Sequence, residues 1–177
     1  MRVQAFHRGA CPTTRPSLAR RAGRLTYVEP LAPGSPAPAV PGVDFGEGPR
    51  ALFLYKVTCP VCQMAAPKVQ RLQEAYPGRI VGIGEDPGEE LEAFGRRFGL
   101  SFASSPDLPP YELSNAYGIR TVPTTFLVGR DGIIVRTVES WDREGLNELS
   151  KTLAELSGAA YAPISEPADG LPPFRPG

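Results

Sequence analysis

Four short apolar runs, set between stretches of helical spacing, organise the middle of the chain. "ALFLYKV" (51–57) is apolar throughout except for one lysine, the pattern of a strand buried on both faces. Beyond it, Met64 or Ala65, Val69, Leu72 and Tyr76 recur at helical spacing. Pro60 suits the first turn of that helix and Pro77-Gly78 stops it. "RIVGIGE" (79–85) reads as a second buried strand. "GEELEAFGRRFG" (88–99) reads as a helix with Leu91, Phe94 and Phe98 inward and Gly99 as its end. "ELSNAYG" (112–118) predicts a short helix closing on Gly118. "TTFLVGRDGIIVRTV" (124–138) predicts a hairpin turning at Arg130-Asp131-Gly132. Residues 143–156 form a last amphipathic helix, with Leu146, Leu149, Leu153 and Leu156 on one side. Strands that alternate with helices must pair in parallel through crossovers, whereas the late hairpin adds antiparallel strands. The expected class is α/β, a central mixed β-sheet flanked by helices on both faces.

Both ends depart from this pattern. Residues 1–30 show no periodicity and are expected to be disordered. Residues 30–42 carry prolines at 30, 33, 36, 38 and 41, which rules out helix and central strand and leaves an extended lead-in. The domain is expected over 31–156. Residues 157–177, with five prolines and no periodicity, are expected to be a Pro-rich C-terminal tail. The first 28 residues hold six arginines and no acid, but lack the apolar core of about 7–15 residues that an export signal needs. No apolar run reaches the ~18 residues of a membrane span. A cytoplasmic location is expected. The chain has 177 residues, 41% of them apolar, with 19 basic against 19 acidic side chains. That balance gives no steering toward nucleic acid or a membrane surface.

Chemistry concentrates in "YKVTCPVCQMAAP" (55–67), which holds two of the three cysteines, Cys59 and Cys62. The pair could be a redox dithiol, half of a metal site, or two packed thiols. With Pro60 as first helical residue, Cys59 is the N-cap, placed to accept hydrogen bonds from the N–H groups of Val61 and Cys62. The helix dipole acts in the same direction, so both effects favour the Cys59 thiolate, the attacking species in disulfide exchange. Cys62, one turn inside, suits the resolving role. A structural zinc site wants four ligands, and outside the pair the chain offers only Cys11 and His7. An iron–sulfur cluster is poorer still on three cysteines. With His7 the only histidine and outside the expected domain, Ser-His-acid and Cys-His hydrolase chemistry has no base.

"TCPVCQMAAPKVQRL" resembles the active-site helix of thioredoxin-like proteins, with CxxC at its start and a proline, here Pro67, eight residues after the first cysteine. "YGIRTVPTTFLVGRDGIIV" resembles that family's second signature. The resemblance implies a thioredoxin-like fold over roughly residues 31–156, in which a cis bond precedes Pro123 and the loop faces the dithiol. It makes Val122 and Pro123 substrate-contact residues, beside Thr58, Pro60 and Val61 around the cysteines. The lead-in "LAPGSPAPAVPGVDF" is similar to those of the alkyl hydroperoxide reductase/thiol-specific antioxidant group and the TlpA-type thiol:disulfide oxidoreductases. The helix at 89–98 also looks TlpA-like. Members of that type often keep a glutamate after the second strand, a place filled here by Glu85 or by its neighbour Asp86, as proton acceptor for Cys62. Thr58 stands where tryptophan is usual, and Pro60-Val61 replaces Gly-Pro; these differences bear on potential and partner choice.

The resemblance implies a thiol:disulfide oxidoreductase with Cys59 as nucleophile and Cys62 resolving, no cofactor beyond the Cys59–Cys62 disulfide, and no bound metal. Its partners would be protein thiols and disulfides and an electron donor, acting on a monomer. A peroxiredoxin-like peroxidase is the alternative. Its PxxxTxxC pattern fails, because Lys56 or Cys59 stands where the threonine belongs. A non-catalytic or metal-binding module on the same fold is the third reading.

Overall fold

The computed structural model describes residues 29–177. The expectations for residues 1–28, with His7 and Cys11, lie outside the described residues.

Each buried run becomes a strand: β1 (Arg50–Tyr55), β2 (Ile80–Gly84), β4 (Thr124–Val128) and β5 (Ile134–Glu139). A short β3 (Ser104–Pro106) completes a five-stranded sheet in the order β3-β2-β1-β4-β5. β1 runs parallel to β2, and β2 to β3, while β4 is antiparallel to both β1 and β5. Alternation along β1 divides the core. Ala51, Phe53 and Tyr55 face α1 (Pro60–Ala75), α2 (Gly88–Phe98) and α4 (Arg143–Ser157). Leu52 and Leu54 face the other layer, made by α3 (Glu112–Ala116) and the extended lead-in. The sheet is therefore mixed, with helices on both faces: a thioredoxin-like fold. Phe53 stacks on Tyr55 at 5.1 Å between ring centroids, and Tyr55 meets Phe94 at 5.2 Å. α2 can approach this closely because Gly84 has no side chain; a Cβ there would run into Leu91.

The Pro-rich lead-in is extended, as expected, and it has a task. Gly34 and Ala37 donate to the carbonyls of Ile134 and Gly132, and Tyr117 Oη donates to Pro38 O at 2.7 Å. With Ile134 N donating back to Ser35 O and the Thr137 hydroxyl donating to Leu31 O, the lead-in covers part of the β5 edge, which would otherwise be an unpaired row of backbone groups. β3 was not expected from the sequence: "SSP" has no apolar pattern, and its place comes only from backbone pairing with Gly82–Gly84. α3 starts without an N-cap side chain of its own. The buried carboxylate of Asp107 accepts from Leu113 N (3.1 Å) and Ser114 N (2.7 Å) instead.

The C-terminal segment differs most from expectation. Instead of trailing free, it packs against α1 and α4 and ends in a strand, β7 (Phe174–Arg175), paired with β6 (Trp141–Asp142). Ile164 and Ser165 are buried. Asn147 receives Ile164 N at 2.8 Å and donates to Ser165 O at 2.8 Å. Tyr76 Oη accepts from Ala162 N at 3.0 Å and shares a hydrogen bond with Ser150. The reason is that polar side chains on α1, its C-cap Tyr76 and α4 satisfy the segment's backbone, so it needs no apolar periodicity of its own.

Asp169 anchors this segment to α1, 2.8 Å from Lys68 and 3.6 Å from Arg71. The Lys68 hydrogen bond first, then the Glu166 N–H, hold its carboxyl well below the usual carboxylate range. A depressed folded-state pKa stabilises the fold above the unfolded value of about 4, and the gain is lost as pH falls below it. The urea midpoint of Asp169→Asn should therefore lie below wild type at neutral pH, and the gap should shrink as pH drops below about 4. A gap that widens in acid would contradict this pairing. Among the described residues, no helix is long and apolar enough to cross a membrane.

Candidate active site

The site is built where β1 runs into α1. Cys59 adopts an extended backbone (φ −76°, ψ 119°) and caps the helix, and Pro60 opens it. Its sulfur accepts from the Cys62 N–H at 3.4 Å. Of the two amides expected to reach it, only this one does. Its thiol donates to the Val122 carbonyl, also at 3.4 Å. The Val122–Pro123 bond is cis, and the loop that carries it lies directly against the Cys59 sulfur. The two sequence signatures, more than sixty residues apart, thus meet at one sulfur atom.

Both cysteines are free thiols with opposite environments. Cys59 is half-buried and Cys62 fully buried. Burial drives the Cys62 thiol far above its ordinary range. A hydrogen bond from the Lys56 backbone offsets part of this, and the nearby charges of Cys59 and Glu85 add to it. In the folded, reduced protein, iodoacetamide near pH 8 should therefore label Cys59 and leave Cys62 unmodified, while both should label in urea. Mass spectrometry of the two peptides reads the result, and equal labelling in the native state would contradict the assignment.

Thr58 and Pro60 are exposed beside the sulfur, and Val122 is half-buried. Val61, expected at the substrate face, is instead 5% exposed and belongs to the core cluster on the α1 side of the sheet. The Pro123 ring is also buried, so the loop offers the backbone of Val122. Glu85 lines a cleft of about 300 Å³ with Ile119, Arg120, Thr121, Val122 and Gly177, and its charge is felt by Cys62.

Two residues outside the motifs hold the β1–α1 loop. Asp86, buried, accepts from Val57 N at 2.7 Å, and Gln63 Nε2 donates to Val57 O at 2.8 Å. The residue before the cysteine turn is thereby fixed on both its polar groups. Asp86 was expected only as a substitute for Glu85; it is the loop's tether. Among the described residues, no group of three or more His, Cys, Asp or Glu is gathered for a metal.

A thioredoxin-like fold with a CxxC dithiol at a helix N-terminus, facing a cis-proline loop, defines a class of redox protein. The match to known families is more specific: residues 42–137 match the AhpC/TSA family, and the chain belongs to it. It is 33% identical over 96 residues to the thiol-disulfide oxidoreductase ResA of Geobacillus thermodenitrificans, covering 50% of this chain and 54% of that protein. It is 34% identical over 93 residues to ResA of Halalkalibacterium halodurans, covering 49% and 52%. The chain spans about half the length of these curated relatives. The fold is shared with a DsbE-type thiol:disulfide interchange protein from Chlorobium tepidum, at TM-score 0.62 and 21% identity over 71% of this chain and 98% of that one. It is shared also with the thioredoxin domain of a Bacteroides vulgatus thiol-disulfide oxidoreductase, at TM-score 0.58 and 21% identity over 70% and 99%.

Proposed function

We propose that the chain is a thiol:disulfide oxidoreductase acting on disulfides of protein substrates, with residues 31–156 as the working domain. The observation that carries the reading is the Cys59 sulfur, half-buried at a helix N-terminus between the Cys62 amide and the Val122 carbonyl. The Cys59 thiolate attacks one sulfur of a substrate disulfide and expels the other as a thiolate, giving a mixed disulfide. Cys62 then gives up its proton, for which Glu85 is the candidate acceptor, and attacks the Cys59 sulfur. The substrate leaves with both sulfurs reduced, and its two electrons have come from the pair, now a Cys59–Cys62 disulfide. An electron donor returns the pair to the dithiol. Thr58 and Pro60 flank the approach, and Val122 with Pro123 present backbone to the incoming segment. No cofactor or metal enters these steps, and the monomer suffices for them.

Direction follows from potential. A cytoplasmic reductase calls for a value near thioredoxin's, about −270 mV, and a value near about −120 mV would make the protein an oxidant. The functional test is dithiol-driven insulin reduction alongside peroxide consumption. Wild type should reduce insulin and Cys59→Ser should not. Full insulin activity in Cys59→Ser sinks the reading, and rapid peroxide loss dependent on Cys59 would support the peroxidase in its place.

A further inference from the structure

We propose that residues 174–177 form a specificity strap over the Val122 side of the thiol site. In place, the strap admits small disulfides; an extended peptide disulfide must displace it. The proposal rests on the reading of Cys59 as nucleophile.

The contacts converge on one carbonyl. Val122 O, which accepts the Cys59 thiol at 3.4 Å, is also the atom against which Gly177 is laid. Any side-chain carbon at position 177 would collide with that carbonyl and with the Thr121 hydroxyl, so the strap touches the loop backbone without a gap. Ser140 fastens the arrangement: its N–H donates to Pro123 O at 2.7 Å, and its hydroxyl accepts from Gly177 N at 3.1 Å. Gly177 also forms a wall of the cleft that Glu85 and Val122 share. A peptide whose disulfide meets Cys59 must run its flanking residues past Val122, and on this side that space is taken.

The strap is rooted firmly and held loosely at its tip. Pro172 O accepts from Trp141 Nε1 at 2.7 Å, Pro173 O accepts from Arg143 N at 2.9 Å, and Leu171 O accepts from the Arg143 guanidinium. Beyond the root, the hydrogen bonds among the described residues are those of the two-stranded β6–β7 pairing, with Phe174 at 57% exposure, and the Ser140 bond to Gly177 N, beside the Gly177 packing on Val122. A two-stranded ribbon with an exposed face is marginal in water, so the tip can open locally while residues 171–173 stay bound. The strap lies beyond residue 137, where the family match ends.

Gly177→Pro in the full chain tests this, because it removes the N–H used by Ser140 and adds the carbon that Val122 excludes. Exchange is measured with 2-hydroxyethyl disulfide and with a disulfide-linked dimer of a short peptide carrying a central cysteine. If the strap covers the path about nine-tenths of the time, releasing it raises the peptide rate roughly tenfold and leaves the small-disulfide rate unchanged. An unchanged or lower peptide rate, or an equal rise in both, overturns the proposal. In Cys62→Ser trapped with the peptide, amide exchange over 174–177 should quicken, and unaltered protection overturns the proposal as well. Cys59→Ser separates the two levels: if it keeps exchanging the small disulfide, the nucleophile assignment itself is wrong.

Discussion

Replacing Cys62 by serine should stop turnover while leaving the first attack intact. In Cys62→Ser the helix start and the Val122 contact of Cys59 remain, so the mixed disulfide still forms. What is lost is, among the described residues, the only other thiol, and with it the intramolecular release of substrate. Insulin reduction should fall to the uncatalysed level, and a covalent adduct through Cys59 should accumulate on non-reducing gels. Cys59→Ser should fall to the same level without an adduct, because Cys62 is buried and its thiol resists ionisation. An adduct formed through Cys62 in the Cys59→Ser protein would reverse the assigned roles.

The second large effect concerns stability. Trp141 is fully buried between the sheet and α4, and its indole N–H holds the Pro172 carbonyl. Trp141→Ala should cost about 3–5 kcal/mol, the usual range for removing a large aromatic side chain from a core. Against a total domain stability of about 5–15 kcal/mol, that is a large fraction. Trp141→Phe keeps most of the volume and leaves one carbonyl without its partner, so its cost should be about 1–3 kcal/mol. Urea midpoints should follow that order with little change in slope. A midpoint for Trp141→Ala equal to that of wild type would remove Trp141 from the core.

The sequence and the structure agree where side-chain patterning governs the fold. β1, β2, β4 and β5 were legible because a buried strand is an apolar run, and α1, α2 and α4 because one face of each is apolar. β3 escaped because Ser104–Pro106 is placed by backbone pairing alone. The C-terminal packing escaped for a related reason. Its ties are backbone carbonyls of Ile164, Leu171 and Pro172, gripped by Arg71, Arg143 and Trp141, and a carbonyl leaves no mark on a sequence. At the site, CxxC and "TVP" carried the pairing of Cys59 with Val122. They did not carry the tether from Asp86 to Val57, which needs the β2 turn in space. Val61 was misplaced because motif position does not say which side of the first helical turn faces the core.

The ties along α1 have a consequence for how the protein changes redox state. The helix is fixed near its start by Gln63 on the Val57 carbonyl, midway through Lys68 and Arg71 to Asp169, and at Tyr76 through Ser150 and Ala162. A rod clamped at three points has little freedom to tilt when its two sulfurs join. The reduced and oxidised backbones of this helix should superpose, and little reorganisation should accompany electron transfer. The free-energy difference between the two states then resides in the sulfurs and their immediate surroundings. Thr58 and Pro60, exposed at the mouth of the pair, become tuning positions: exchanging them should move the midpoint potential without altering the shape of the domain.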